Sequence, residues 1–384
     1  MKQRLIACLL AAAAALSLCG CGSVFDTEYV VETTYAPTLS AVSAQQSDAT
    51  IHTLEELKTF LLSMVAAGQD TQRIGFDPAY PGDVSADMVS ACWQIRTQDA
   101  LCAYCVENIA YDVFKIVNHT EAAVTVTYSK SPADLEKIVR LPYAADAGEP
   151  MRQAMAEGLP TLVLFSEYSS YTDETMEDFA RQIYRENPAI APQEPVVLVD
   201  TISGAGTQRL YELSFDYGLE ASELLARREA LAALDPFADV DAAQLGEGER
   251  ALLACRYLIE HCWYAEEAPG SVYAALIENA ANSAGLAFAY TALCRRLSLT
   301  CLIVDGQYHR EDHSWNIVQI DGAYYHVDPA VCSRSGLEAG FLLNDETAWE
   351  PYRWDYFNYP HCTGTLTLAA LAAENYRGEL KNKP

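Results

Sequence analysis

His313 and Asp328 flank an Asp321-Gly322 dipeptide near the end of the chain. Asp-Gly favours a two-residue type I′ turn. Strands folded about it put Ile320 opposite Ala323 and Trp315 opposite Asp328. His313 shares Trp315's face of the strand and lies diagonal to Asp328, so a carboxylate reaches an imidazole. Such a pair is the proton-handling half of a nucleophilic site, because the carboxylate orients the ring and supports its positive charge. Taken singly, His313 reads as an ordinary strand histidine and Asp328, before Pro329, as a turn former. Their joint spacing is what points to chemistry. His326 lies on Asp328's strand face and is a near-site candidate, as are Trp315 and Asn316. His309 reads as loop.

A pair of this kind needs a nucleophile, and cysteine is the natural one to look for. The chain has 12 cysteines. Cys8, Cys19 and Cys21 lie at the start. The rest are Cys92, Cys102, Cys105, Cys255, Cys262, Cys294, Cys301, Cys332 and Cys362, an odd number, so full pairing within one chain is excluded. Cys102-Ala103-Tyr104-Cys105 has redox or zinc spacing but sits in a helical stretch with no second ligand pair, so these read as small buried residues. Cys332 and Cys362 flank the last loop and are candidates for one disulfide.

The elements that must position these residues follow from periodicity. Leu54 to Val65 has helical spacing, with Leu57, Phe60, Leu61 and Met64 on one face. A second helix is expected over Ala86 to Asn108, followed by a hairpin of Tyr111–Val117 and Ala122–Tyr128 around Asn118-His119-Thr120. Thr161–Phe165 reads as strand, Asp173–Glu186 as helix, and Val196–Thr201 and Arg209–Phe215 as paired strands. Helix followed by hairpin thus occurs twice, which suggests a duplicated module. Nothing in this region forms a catalytic constellation. Leu219–Leu234 and Gly248–Cys262 are helical.

The residues from His313 to Pro329 resemble the His and Asp half of the transglutaminase-like family, which is related in fold to papain-type cysteine proteases. That family approaches its catalytic cysteine through an apolar run, a turn and then Cys-x-Gly-Tyr-Ala opening a buried helix. Here Ala275-Leu276-Ile277 matches the run, and Gly285 and Ala287 match the Gly and Ala. Leu299-Thr300-Cys301 and Val304-Asp305-Gly306 match the next strand's entry and exit. This alignment puts Ser283 at the nucleophile position. The resemblance spans roughly Ala251 to Tyr359. It implies an α+β fold, a transglutaminase-like (papain-like) core with an antiparallel sheet packed on a central helix, preceded by an α/β region of helix-plus-hairpin units. It also implies a site of Ser283, His313 and Asp328. A thiol at a helix N-terminus beside a histidine ionises readily, and the backbone N–H groups there stabilise an oxyanion. A hydroxyl is far harder to ionise, and Ser283 has the ordinary role of N-cap for a helix over Ala284–Leu297. Cys294 lies eleven residues further, about 16 Å along the helix, and Cys301 reads as core, so neither replaces it.

The chain begins with Lys2 and Arg4, then an apolar run from Leu5 to Leu18, the pattern of an export signal. Leu18-Cys19-Gly20-Cys21 resembles a bacterial lipobox. That implies cleavage after residue 20 and a lipid on Cys21. The expected organisation is a signal over 1–20, a tether over 21–50 that lacks Lys and Arg, an N-terminal α/β domain over 51–217 and the transglutaminase-like domain over 218–384. The chain carries 25 Lys+Arg against 53 Asp+Glu, a formal charge of −28. This balance argues against nucleic acid as a partner. No spaced acidic calcium loop is present, and no cofactor or metal is expected. These readings describe a protein lipid-anchored on the outer face of the bacterial cytoplasmic membrane. Its expected role is to bind protein or cell-wall peptide ligands in a catalytically degenerate cleft. The alternatives are a serine-dependent hydrolase or acyltransferase on amide bonds, and a structural envelope scaffold.

Overall fold

The computed structural model describes residues 49–373. The expected signal, the lipidation at Cys21 and nearly all of the tether lie outside the described residues. The chain is α+β. Its first part holds two four-stranded sheets of one topology. Strands β1 (Ala49–Ile51), β2 (Thr71–Phe76), β3 (Val106–Ile116) and β4 (His119–Tyr128) lie in the order β1-β2-β4-β3. Strands β5 (Val139–Tyr143), β6 (Thr161–Tyr168), β7 (Val196–Ser203) and β8 (Arg209–Asp216) lie in the order β5-β6-β8-β7. In each sheet the first pair is parallel and the others antiparallel. A helix joins the first pair in each: Leu54–Ala66 in one, Gly148–Glu157 in the other. Asp173–Glu186 leads into the second hairpin. The suspected repeat is therefore a β-α-β-α-β-β unit, longer at its front than helix plus hairpin.

Three local expectations are corrected. The helix expected over 86–108 ends at Gln98, because Asp99 leaves helical geometry and its carboxylate caps a new short helix, Ala100–Cys105, through Cys102 N–H at 2.8 Å. Residues from Val106 onward are strand, not helix. The first hairpin turns at Val117-Asn118 and not over Asn118-His119-Thr120, since Ile116 pairs with His119 and both His119 and Thr120 belong to the strand. Strand β1 takes in Ala49 and Thr50, the end of the expected tether.

The remainder is built on a five-stranded antiparallel sheet in the order β14-β13-β12-β11-β15. Its strands are β11 (Cys301–Tyr308), β12 (Glu311–Ile320), β13 (Ala323–Val327), β14 (Phe341–Leu343) and β15 (Tyr352–Arg353). Two further short strands, β9 (Trp263–Tyr264) and β10 (Ala280–Ala281), pair beside it in parallel. The helix Ser283–Arg296 is nearly all buried: every residue from Gly285 to Cys294 is hidden from solvent. It packs on one sheet face in a core that also holds Val318, Ile320 and Val327 and runs on into the second N-terminal unit through Tyr184, Tyr211 and Leu213. The opposite sheet face carries a smaller core of Val304, Trp315, Ile317, Tyr352 and Cys362. The sheet therefore separates Cys332, which packs with the helix side, from Cys362 on the other. Both are free thiols, so the expected pairing between them is not formed.

Candidate functional site

Strand β12 is fixed in register from both ends. The β12–β13 turn has Asp321 and Gly322 at φ 49° and 81°, the conformation a type I′ turn requires. Ile320 pairs with Ala323 and Asn316 with Val327, as the count from Asp-Gly predicts. The β11–β12 turn repeats the device with His309 and Arg310 at φ 51° and 75°, so β11 runs on to Tyr308, past the exit expected at Gly306. Gly306 pairs with His313. A Cβ there would fall 2.2 Å from the Arg353 carbonyl oxygen and 2.8 Å from the Trp315 ring. Only glycine lets β15 and Trp315 close on the strand at that point.

His313 and Asp328 meet as expected. His313 Nε2 lies 2.8 Å from Asp328 Oδ2, with His313 only 8% exposed and Asp328 1%. The same oxygen accepts the Tyr352 hydroxyl at 2.9 Å. Asp328 Oδ1 accepts Val331 N–H at 3.0 Å, capping the helix Pro329–Ser335. Three donors thus hold one carboxylate. Because His313 gives its Nε2 proton to Asp328, its Nδ1 is the basic nitrogen.

Ser283 is the first residue of its helix and not the cap. Asn282 is the N-cap, its side-chain oxygen accepting Gly285 N–H at 3.1 Å. The expected capping role of Ser283 is corrected by one residue. The Ser283 hydroxyl instead lies 3.4 Å from the backbone N–H of Ser314, a long contact. Ser283, Ala287 and Thr291 form one helical stripe. Asn316 holds that stripe to β12, donating to the Ala287 carbonyl at 3.0 Å and to the Thr291 hydroxyl at 2.9 Å. Gly285, on another side of the helix, lets the 269–271 loop close on it: a Cβ there would be 2.8 Å from the Ala281 Cβ and 3.0 Å from the Pro269 carbonyl. Ser314 is itself held by Asp305, at 2.8 Å, and Asp305 pairs with Arg185 of the second N-terminal unit.

Ser283 and His313 line one cavity of about 210 Å³ with Tyr264, Tyr308, Glu266, Glu311, Asp312, His309 and Arg334. No cysteine lines it among the described residues. Burial pushes the Cys262 thiol up to about 11, and Cys294, wholly buried, higher still. Asn316 serves the helix face and not the cleft. Trp315 is fully buried behind His313, its ring stacked on the imidazole with centroids 6.4 Å apart.

The structure does not bring His326 into the cleft. Its Nδ1 accepts the Trp315 indole N–H at 3.0 Å and its Nε2 meets Asp345 Oδ1 at 3.0 Å. His326, Asp345 and Cys362 have ligand atoms within 4.8 Å of one another, the spacing of a metal site. The donor set does not fit one. An indole N–H only donates, so Nδ1 is bare and the single imidazole proton is on Nε2. A cation at Nε2 would have to displace that proton and leave an imidazolate. Asp345 Oδ2 is also taken, by Cys362 N–H at 3.0 Å.

Sequence reasoning missed Tyr352, Asp345, Arg334 and Tyr264. Tyr352 and Asp345 follow β13 at distances set by loops, and no periodicity marks them. Arg334 was within reach, being six residues after Asp328 on the helix that Asp328 caps.

No family model matches this chain, and no curated protein matches it. Among solved structures, the crystal structure of a TGase is 12% identical with a TM-score of 0.25, covering 54% of this chain and 60% of that one. A protein described as a candidate cysteine protease from Cytophaga hutchinsonii is 12% identical with a TM-score of 0.20, covering 36% of this chain and 66% of that one. The matched regions thus fall short of two thirds of either protein's length.

Proposed function

We propose that this chain is an exported, lipid-anchored protein whose transglutaminase-like domain binds protein or cell-wall peptide ligands without turning them over. The observation that carries this reading is the chemistry at the head of the buried helix. A hydroxyl stands there, and its contact is the Ser314 backbone N–H at 3.4 Å, while His313 is bonded to Asp328. Ionising a serine requires a base in hydrogen-bond contact with it. A preset His–Asp pair without a thiol braces the hairpin and shapes a cleft. Lys2, Arg4, the apolar run and Leu18-Cys19-Gly20-Cys21 support export and lipidation at Cys21. Among the described residues no helix is long and apolar enough to cross a membrane.

One observation favours a second reading, a serine-dependent hydrolase or acyltransferase on amide bonds. His313 Nδ1 is not spent on Asp328, and Ser283 lines the same cavity. A fluorophosphonate probe separates the two. Binding without turnover predicts that Ser283 is labelled no faster than exposed serines. Fast labelling at Ser283 that His313→Ala abolishes would establish the hydrolase. Mass spectrometry of membrane-extracted protein tests the anchor: an acylated Cys21 at the N-terminus is expected, and a soluble form starting elsewhere would refute it.

A further inference from the structure

Resting on the proposed ligand-binding role, we propose that the cleft recognises ligands that present a carboxylate, and that Arg334 is the residue that takes it. Arg334 lines the cavity with Ser283 and His313. Its guanidinium carbon lies 4.7 Å from the centre of the Tyr264 ring and 5.9 Å from that of Tyr308. Tyr264 and Tyr308 therefore flank the guanidinium, and a fork held against aromatic rings loses less freedom when it grips a planar carboxylate.

The second observation is what Arg334 does not do. This chain has 53 acidic residues, and Glu266, Glu311 and Asp312 line the same cavity. None of them forms an ion pair with Arg334 among the described residues. Other arginines near carboxylates are engaged: Arg185 with Glu194 and Asp305, Arg227 with Glu223 and Glu278, Arg250 with Glu247. Arg334 is exposed on the last turn of the helix that Asp328 caps, so its position is tied to the His313–Asp328 pair. It offers an unpaired bidentate donor set, flanked by two tyrosine rings, in the cavity that Ser283 also lines. The arrangement suits a peptide ending in a free carboxylate, or one with an acidic side chain, and the acidic residues lining the same cavity suit a cationic group elsewhere on the same ligand.

The test uses the full mature chain and two probes, acetyl-Ala-Ala as the free acid and as its C-terminal amide. Nitrogen-resolved NMR follows the Arg334 Nε–H and the Ser283 and Ser314 amides. The free acid should shift all three and bind at least about tenfold more tightly than the amide, as expected for a charge-assisted hydrogen-bonded pair. Arg334→Gln should reduce the acid to the amide's affinity. Arg334→Lys, which keeps the charge and loses the fork, should fall between. Equal binding of acid and amide, an acid preference that survives Arg334→Gln, or no binding of either would overturn the proposal. Hydrolysis of the amide probe at Ser283 would instead overturn the non-catalytic reading and leave carboxylate recognition standing.

Discussion

The indole N–H of Trp315 donates to Nδ1 of His326 at 3.0 Å, and this one bond decides the state of a buried histidine. It leaves the proton on Nε2, which faces Asp345. Burial pushes the His326 imidazole below its ordinary value of 6.5, against the opposing pull of Asp345. The folded protein therefore holds His326 neutral at a pH where the unfolded chain would protonate it.

The sign of the pH effect follows. Above 6.5 both states are neutral at this position and His326 leaves stability unchanged. As pH falls below 6.5 the unfolded chain takes up a proton that the fold refuses, and stability drops until the depressed folded value is reached. Urea unfolding from pH 7.5 down to 5.5 should show this loss. In His326→Gln the part of the slope due to this group should vanish. An unchanged slope in the variant would assign the loss to other groups.

Tyr352 and His313 donate to the same Asp328 oxygen. Burial, reinforced by Asp328, raises the Tyr352 phenol well above its usual range, so it donates throughout the physiological range. Tyr352→Phe removes one hydrogen bond to a carboxylate at a site 1% exposed, a loss of about 2 kcal/mol in unfolding free energy. The ring still fills its place against Trp315, with centroids 4.9 Å apart, so the unfolding m-value should not change. A loss below about 0.5 kcal/mol would mean that water replaces the hydroxyl.

Gly285→Ala tests the approach of the helix to the 269–271 loop. The added Cβ would meet Ala281, the Pro269 carbonyl and the Ser271 nitrogen, all at 3.0 Å or less, and two of these are backbone. Overpacking of this kind costs about 1–3 kcal/mol, against a gain of up to about 1 kcal/mol from replacing a helical glycine. The net should be destabilising, and amide exchange at Ser283 and Ser314 should quicken. A stabilised variant would show that the loop gives way freely.

How much of this was legible in the sequence depended on how locally each feature is determined. The His313–Asp328 contact was readable because Asp-Gly fixes a turn and the turn fixes every pairing above it. Asp173–Glu186 was read to the residue because Thr172 caps it and two acidic residues open it. The helix over 86–108 was overrun because Asp99 and Val106 change the backbone within an unbroken apolar run. The leading strands β1 and β5 are three and five residues long, too short to show alternation. His326 was placed on the correct face, but the side that its ring turns to is set by Trp315 and by Asp345 from a later loop. Arg334 and Tyr264 meet only through the fold.

Ser283→Cys is the sharpest test of the site. The replacement puts a sulfur at the first residue of the helix, where the uncapped N–H groups and the helix dipole favour an anion. His313 lines the same cavity, and with its Nε2 held by Asp328 the Nδ1 is the nitrogen left to accept a proton. A thiol there can pass its proton to His313 and exist as the ion pair that makes cysteine nucleophilic. Iodoacetamide at neutral pH should alkylate Cys at this position at least about tenfold faster than an unperturbed thiol of ordinary value 8.5. The nine native cysteines among the described residues are poor competitors, since eight are buried and Cys301 is half-buried. Adding His313→Ala should return the rate to the unperturbed level, and Tyr352→Phe should lower it by less. If Ser283→Cys is alkylated no faster than a free thiol while the native fold is kept, the His–Asp pair does not address this position, and the placement of Ser283 as the vacated nucleophile fails.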